Sequence, residues 1–339
     1  MTTLVLDCYG GDNSPLAHVK GAVRALSENP ELFLILTGRE DEIKALLEGT
    51  DKTILERIEV VNAPDVIGCD EKPTDAIRLK RESSMMKAVK LLREDDKVDG
   101  MVSTGSTGAL VAAATLRIGR LNGVIRPAFC PILPTMNGSV VGICDSGANV
   151  ECTPEYLEQF AVMGSIYMES VYGFEKPRVA LLNVGTESEK GDTLHKEAYA
   201  RISALKDVCF VGNMESRDLL SGKYSLVVCD GFSGNVLVKA TEGTALELLK
   251  KIKKDINKSF RNKIGALFMR RMFMEEKEFM NYKNYGGSVL LGCAKIVVKG
   301  HGSSNEVAVA KCIEQAYKMS AGAINEKIER ALSALGYGR

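Results

Sequence analysis

The sequence contains no tryptophan, only three histidines (His18, His195 and His301) and no two cysteines at CxxC spacing. Scattered His and Cys do not supply the ligand clusters of a zinc site, so no metal is expected. Nine cysteines without a CxxC pair or an even framework argue against a disulfide scaffold. The opening MTTLVLDCYGGD lacks the basic n-region and apolar stretch of a signal peptide, so a reducing, cytoplasmic location is expected. No apolar run reaches the ~18 residues of a spanning helix. Nor is there an excess of charge: 44 basic residues balance 44 acidic ones, which argues against a nucleic-acid partner. With 339 residues, 45% of them hydrophobic, the chain can bury a large core, and neither a repeat nor a low-complexity linker divides it.

What is present is an alternation of short β-rich runs with helical patterns. The runs are 4–6, 32–37, 58–62, 100–103, 139–145, 179–183, 208–212, 226–229 and 295–298. They predict a three-layer α/β/α fold with a mainly parallel sheet. Several runs end in small or polar loops, and ligands of open α/β sheets bind beyond the carboxyl ends of the strands. The loops starting at Asp7, Ser103, Asp145, Asn183 and Asp230 are therefore expected to converge on one cleft.

The division expected is a composite α/β catalytic domain, 1–243 with 286–339, and a helical insertion, 244–285. From Thr244 to Met280 the sequence reads as helix, with Ile252, Ile256, Phe260, Ile264 and Phe268 spaced by four along one face. Between positions 250 and 271, nine cations (among them Lys250, Lys254, Arg261, Lys263, Arg270 and Arg271) meet one carboxylate, Asp255. A solvated helix packed on the body by its apolar stripe is one reading. A contact with an acidic carrier, an anionic membrane or a second copy is the other, favoured by the apolar residues Phe268, Met269, Met272 and Phe273 around Arg270 and Arg271.

In the loop Ser103 to Gly108, the residues Gly105, Ser106, Thr107 and Gly108 precede a helical run to Arg120 and suit an anion cradle. The loop is neither a P-loop nor GxGxxG, and close helix–strand packing would use the same small residues. Gly10 and Gly11 permit a sharp turn after Asp7, which is placed to bind a hydroxyl or an Arg. Asp12, Asn13 or Ser14 before Pro15 is expected to cap a helix. Asn183, Gly185, Thr186 and Glu187, and then Asp230, Gly234 and Asn235, cluster polar groups where turn-making alone would also place them. Lys239 and Arg217 could neutralise an anion, and His301 with Ser303 follows a strand. No Ser-His-Asp order, nucleophile elbow or reactive cysteine is present.

Read together, these motifs resemble the phosphate acyltransferase (PlsX) family of bacterial phospholipid synthesis. The matching stretches are Asp7 with Gly10-Gly11-Asp12, Gly105-x-Thr107-Gly108-Ala109, Asp145-x-Gly147-Ala148-Asn149, Asn183-Val184-Gly185-Thr186-Glu187, Asp230-Gly231-Phe232-x-Gly234-Asn235 with Lys239, and His301-Gly302-Ser303-Ser304. Cys8-Tyr9, Ser106 and Ser288-Val289 depart from the family's usual Ala-Met, Asn and Ala-Pro. The resemblance implies a fold like that of isocitrate and isopropylmalate dehydrogenases and phosphotransacetylase, without cofactor. It implies attack of inorganic phosphate on an acyl-acyl-carrier-protein thioester, giving acyl phosphate. It also implies a homodimer at the membrane periphery that feeds a membrane glycerol-phosphate acyltransferase.

That chemistry suits the residues. Much of the inorganic phosphate is already dianionic near neutral pH, and a thiol of pKa ~8.5 leaves without a strong acid. Positioning and oxyanion hydrogen bonds then suffice. In this reading the 105–108 loop and Thr186 hold phosphate, Asn183, Asn235 and His301 orient the carbonyl, Lys239 supplies charge, and Asp230 accepts a proton or merely forms the loop. Short-chain acyl-CoA phosphotransfer, a nicotinamide-dependent dehydrogenase and an inactive membrane-surface scaffold are the alternatives.

Overall fold

The computed structural model describes residues 1–279 and 285–338. Its strands are β1 (Thr2–Asp7), β2 (Leu32–Gly38), β3 (Ile58–Asn62), β4 (Gly100–Ser103), β5 (Ala128–Cys130), β6 (Ile132–Pro134), β7 (Val140–Cys144), β8 (Arg178–Asn183), β9 (Cys209–Glu215), β10 (Leu226–Val228), β11 (Ser288–Leu291) and β12 (Ile296–Lys299). Each β-rich run of the sequence is one of these strands. The runs fall, however, into two sheets, ordered β3-β2-β1-β4-β12-β11-β5 and β6-β7-β10-β8-β9. The fold is α/β with mostly parallel pairing. Every antiparallel pairing between strands involves β5, β6 or β11, the three that the sequence did not announce. Pro131 alone separates β5 from β6, so the two short strands do not stand out as separate runs.

The parallel strands are apolar on both faces because helices cover both. One side packs the helices Leu16–Glu28, Pro154–Tyr172 and Glu306–Ala321. Leu6, Val102 and Val298 of the first sheet share a single buried cluster with Cys144, Leu181 and Val228 of the second, bridged by Phe160, Met163 and Ile313. The two sheets are thereby welded through one core.

Three local expectations change. The helix at 16–28 has Pro15 as its N-cap, with no side-chain cap bond. Asn13 instead donates to the Ser304 carbonyl at 3.1 Å and Ser14 to the Gly11 carbonyl at 2.5 Å, so these residues join loops. The helix read from Thr244 begins at Gly231 and runs to Ile256, because Asp230 caps it by accepting the Ser233 N–H at 2.8 Å. The four-residue stripe does not lie along one helix: Ser259 caps a new helix, Phe260–Phe268, and a third follows, Arg270–Phe279. The expected end at Met280 lies outside the described residues.

Candidate active site

Register sets the chemistry of the first sheet. Asp7 of β1 is aligned with Ser103 of β4, and Ser103 with Lys299 of β12, so three polar residues form one row at the ends of adjacent strands. Ser288 of β11 faces Lys299 across the antiparallel ladder. Asp7, Ser103 and Lys299 are all at least nine-tenths buried. The Asp7 carboxylate accepts the Ser103 hydroxyl at 2.7 Å and the Tyr9 N–H at 3.2 Å, and Ser103 Oγ accepts the Gly105 N–H at 3.1 Å. Thr104 is held twice. Its hydroxyl lies 2.7 Å from His18 Nε2, and its carbonyl accepts from Lys299 Nζ at 3.4 Å. Lys299 also donates to the Gly300 carbonyl.

Burial disfavours charge on both basic groups. It pushes the His18 pKa down to about 4, which leaves a neutral imidazole. It pushes Lys299 down to about 8, with Lys239 adding repulsion and Cys312, Cys69 and Asp7 acting the other way.

Beyond this row opens a cleft of about 180 Å³ between the sheets. Lys299 at the end of β12, with Thr107 and His301 just beyond β4 and β12, enters from the first sheet, Phe129, Ile132 and Leu133 form the apolar wall, and Asn235, Lys239 and Glu242 project from the 231–256 helix. That helix reaches the cleft because its first turn is bare. A Cβ on Gly234 would lie 2.0 Å from the Asp145 carbonyl oxygen, and one on Gly231 2.5 Å from the Asn149 carbonyl oxygen. Asp145 anchors the other side: its buried carboxylate accepts the N–H groups of Phe129 at 2.8 Å, Ala148 at 3.0 Å and Asn149 at 2.6 Å. Desolvation raises its pKa, while these hydrogen bonds oppose the shift. Lys239 forms an ion pair with Glu242 at 2.8 Å, and His301 Nδ1 lies 2.8 Å from Ser303 Oγ.

A cleft rich in cations with an apolar wall can hold an anion beside an acyl group. Comparison with known proteins decides its class. A family model described as "Fatty acid synthesis protein" matches residues 2–327. A phosphate acyltransferase of Clostridium acetobutylicum is 46% identical over 332 residues, covering 98% of this chain and 99% of that protein. One from Bacillus cereus is 44% identical over 320 residues, 94% of each chain. The chain belongs to the phosphate acyltransferase family. It is an acyltransferase. Among solved structures, a phosphotransacetylase from Streptococcus pyogenes shares the fold (TM-score 0.62, 18% identity, 94% of each chain covered). So does a branched-chain phosphotransacylase from Enterococcus faecalis (TM-score 0.59, 15% identity, covering 94% of this chain and 99% of that one).

In this acyltransferase the residues expected from sequence divide. Thr107, Asn235, Lys239 and His301 line the cleft. Gly10, Gly11 and Gly105 serve the approach of loops: a Cβ on Gly10 would lie 2.4 Å from Gly105 N, and one on Gly11 2.6 Å from Thr104 Oγ1. Asp7 faces inward to Ser103, and Gly108 faces Pro73. Ser106 Oγ caps its helix by accepting the Ala109 N–H at 3.4 Å, as an Asn at that position also could.

The 183–191 loop is turned on itself. Asn183 donates to the Lys190 carbonyl at 3.1 Å and accepts the Val184 N–H at 2.8 Å. Asn183, Gly185, Thr186 and Glu187 do not line the cleft. Neither does Asp230, whose Oδ1 is the helix cap, nor Arg217, paired with Glu215 at 2.6 Å. Lys299 was missed. The available signal was a Lys ending an otherwise apolar strand just before Gly300-His301-Gly302.

Proposed function

We propose that this acyltransferase moves a fatty acyl group from a carrier-protein thioester to inorganic phosphate, releasing carrier thiol and the acyl phosphate used in phospholipid synthesis. The observation that carries the reading is the cleft itself, where Lys239, Lys299 and His301 meet an apolar wall with Glu242 the one lining carboxylate among the described residues. A phosphate oxygen forms the new bond to the carbonyl carbon, the C–S bond breaks, and the proton of the hydrogen phosphate passes to the thiolate. In this reading Asn235 and His301 donate to the carbonyl oxyanion, and Lys239 offsets the charge of the nucleophile. The loop N–H groups contribute less than its sequence suggests, since Ser103 and Ser106 take those of Gly105 and Ala109.

The insertion serves the same reading as a surface for anionic lipid. Phe260, Leu267 and Phe268 are 78%, 68% and 86% exposed beside Arg261, Lys263, Arg270 and Arg271. Such a face combines apolar insertion with attraction to acidic headgroups. Among the described residues no helix is long and apolar enough to cross a membrane. A homodimer supplying acyl phosphate to a membrane glycerol-phosphate acyltransferase completes the proposal. Its test is phosphate-dependent release of thiol from acyl-carrier protein with matching acyl phosphate; release that ignores phosphate would overturn it.

A further inference from the structure

Lys299 stands on a strand with neighbours on both sides, and its side chain is nine-tenths buried. Its ammonium meets two backbone carbonyls, those of Thr104 and Gly300. Among the described residues it has no carboxylate at ion-pair distance. Asp7, in the same row, is separated from it by Ser103 and is already occupied by the Ser103 hydroxyl and the Tyr9 N–H. An ammonium buried without a counter-ion is costly, and an anion relieves the cost. A second cation, Lys239, lines the same cleft, and its charge disfavours that of Lys299. Lys239 is paired with Glu242 at 2.8 Å, so of the two lysines that line the cleft Lys299 is the one without a carboxylate partner among the described residues.

The geometry points to Lys299 as the residue that contacts the attacking phosphate, its ammonium donating to an oxygen held in the cleft between Lys239 and Thr107. The assignment rests on the phosphate acyl-transfer reading and adds to it a residue outside the loops that the sequence singled out. An ammonium has three donors. Thr104 and Gly300 take two, which fixes the head group and leaves the third for a ligand. The Thr104 carbonyl is itself steadied by the contact between the Thr104 hydroxyl and His18, so the cation is preorganised rather than recruited.

The anion recognised could be inorganic phosphate or the phosphodiester of a carrier's prosthetic arm, and the experiment separates them. Lys299→Met and Lys299→Arg are compared with the parent by thermal unfolding against inorganic phosphate and by turnover with an acyl thioester of a phosphate-free thiol. Phosphate is expected to raise the midpoint of the parent, less that of the Arg variant, and not that of the Met variant. The phosphate KM of the Met variant should rise about tenfold or more, with the acyl-donor KM nearly unchanged. Lys299→Gln, which keeps a donor but no charge, gives the same loss if the Met variant does not fold. An unchanged phosphate KM overturns the assignment. So does a rise seen only with carrier-bound donor, which would place the arm's phosphodiester at Lys299. The thermal titration needs no turnover: phosphate protection that depends on Lys299 in a protein with no acyl transfer would uphold the anion site and refute the reaction.

Discussion

His18 and Lys299 both hold Thr104, one through its hydroxyl and the other through its carbonyl, and burial disfavours the charged form of each. For His18, about 4 when folded against 6.5 when unfolded, the unfolded chain takes up the proton first. Stability therefore falls as pH drops from 6.5 towards 4. For Lys299, about 8 against 10.5, the native state loses its proton first, so stability rises with pH between those values. Each swing amounts to at most about 3 kcal/mol. Chemical denaturation at pH 5, 7 and 9.5 should show the acid-side fall flattened in His18→Asn and the alkaline rise flattened in Lys299→Met. Unchanged slopes would show that neither group is buried as described. Neither residue was singled out in the sequence. A lone His in a helix and a Lys at a strand end carry no local signature, and only strand register brings Lys299 beside Ser103. His301 was singled out in the sequence because it follows a strand and precedes a helix. Tyr9 is accommodated because position 38 is Gly: a Cβ there would lie 2.4 Å from the Tyr9 ring.

Among the elements, the 231–256 helix does most to build the cleft, and its glycines separate two causes. Gly234 is packed against the Asp145 carbonyl, whereas a Cβ on Gly243 would meet nothing within 4 Å. Gly234→Ala should destabilise by about 2 kcal/mol or more through overpacking and should lower turnover by displacing Asn235 and Lys239. Gly243→Ala should stabilise by about 0.5–1 kcal/mol through helix propensity and leave turnover unchanged. Equal effects in thermal unfolding and initial rates would contradict this division. The sequence signal here was real but ambiguous. Asp230 to Asn235 reads as a turn because Asp, Gly and Asn favour turns, and a helix start with bare close contacts uses the same residues. In the 183–191 loop the Asn183 amide is engaged by the Lys190 carbonyl and the Val184 N–H of the same loop, a contact that the sequence does not announce. The parallel strands were legible from their apolar runs, while β5 and β6, parted only by Pro131, and the antiparallel β11 were not.

At the scale of the molecule, two sheets close a cleft at one core while the 260–279 segment presents exposed aromatics and cations. Vesicles containing anionic lipid should bind the protein in a salt-sensitive way, each cation near the surface contributing about 1 kcal/mol. The double substitution Leu267→Ser with Phe268→Ser should weaken flotation and spare turnover of soluble substrates; salt-independent binding unaffected by it would remove the lipid surface from the account. The sequence disclosed this charge and apolarity but not its geometry, since the break at Ser259 rests on a cap and not on periodicity. The most direct measurement is the initial rate of carrier-thiol release with acyl phosphate measured in parallel, at several concentrations of phosphate and acyl-carrier protein. Phosphate and thioester meeting in one cleft predict one acyl phosphate per thiol, no release without phosphate, and intersecting double-reciprocal lines. Parallel lines with a burst of thiol before phosphate is added would reveal a covalent acyl-enzyme and contradict direct attack in the cleft.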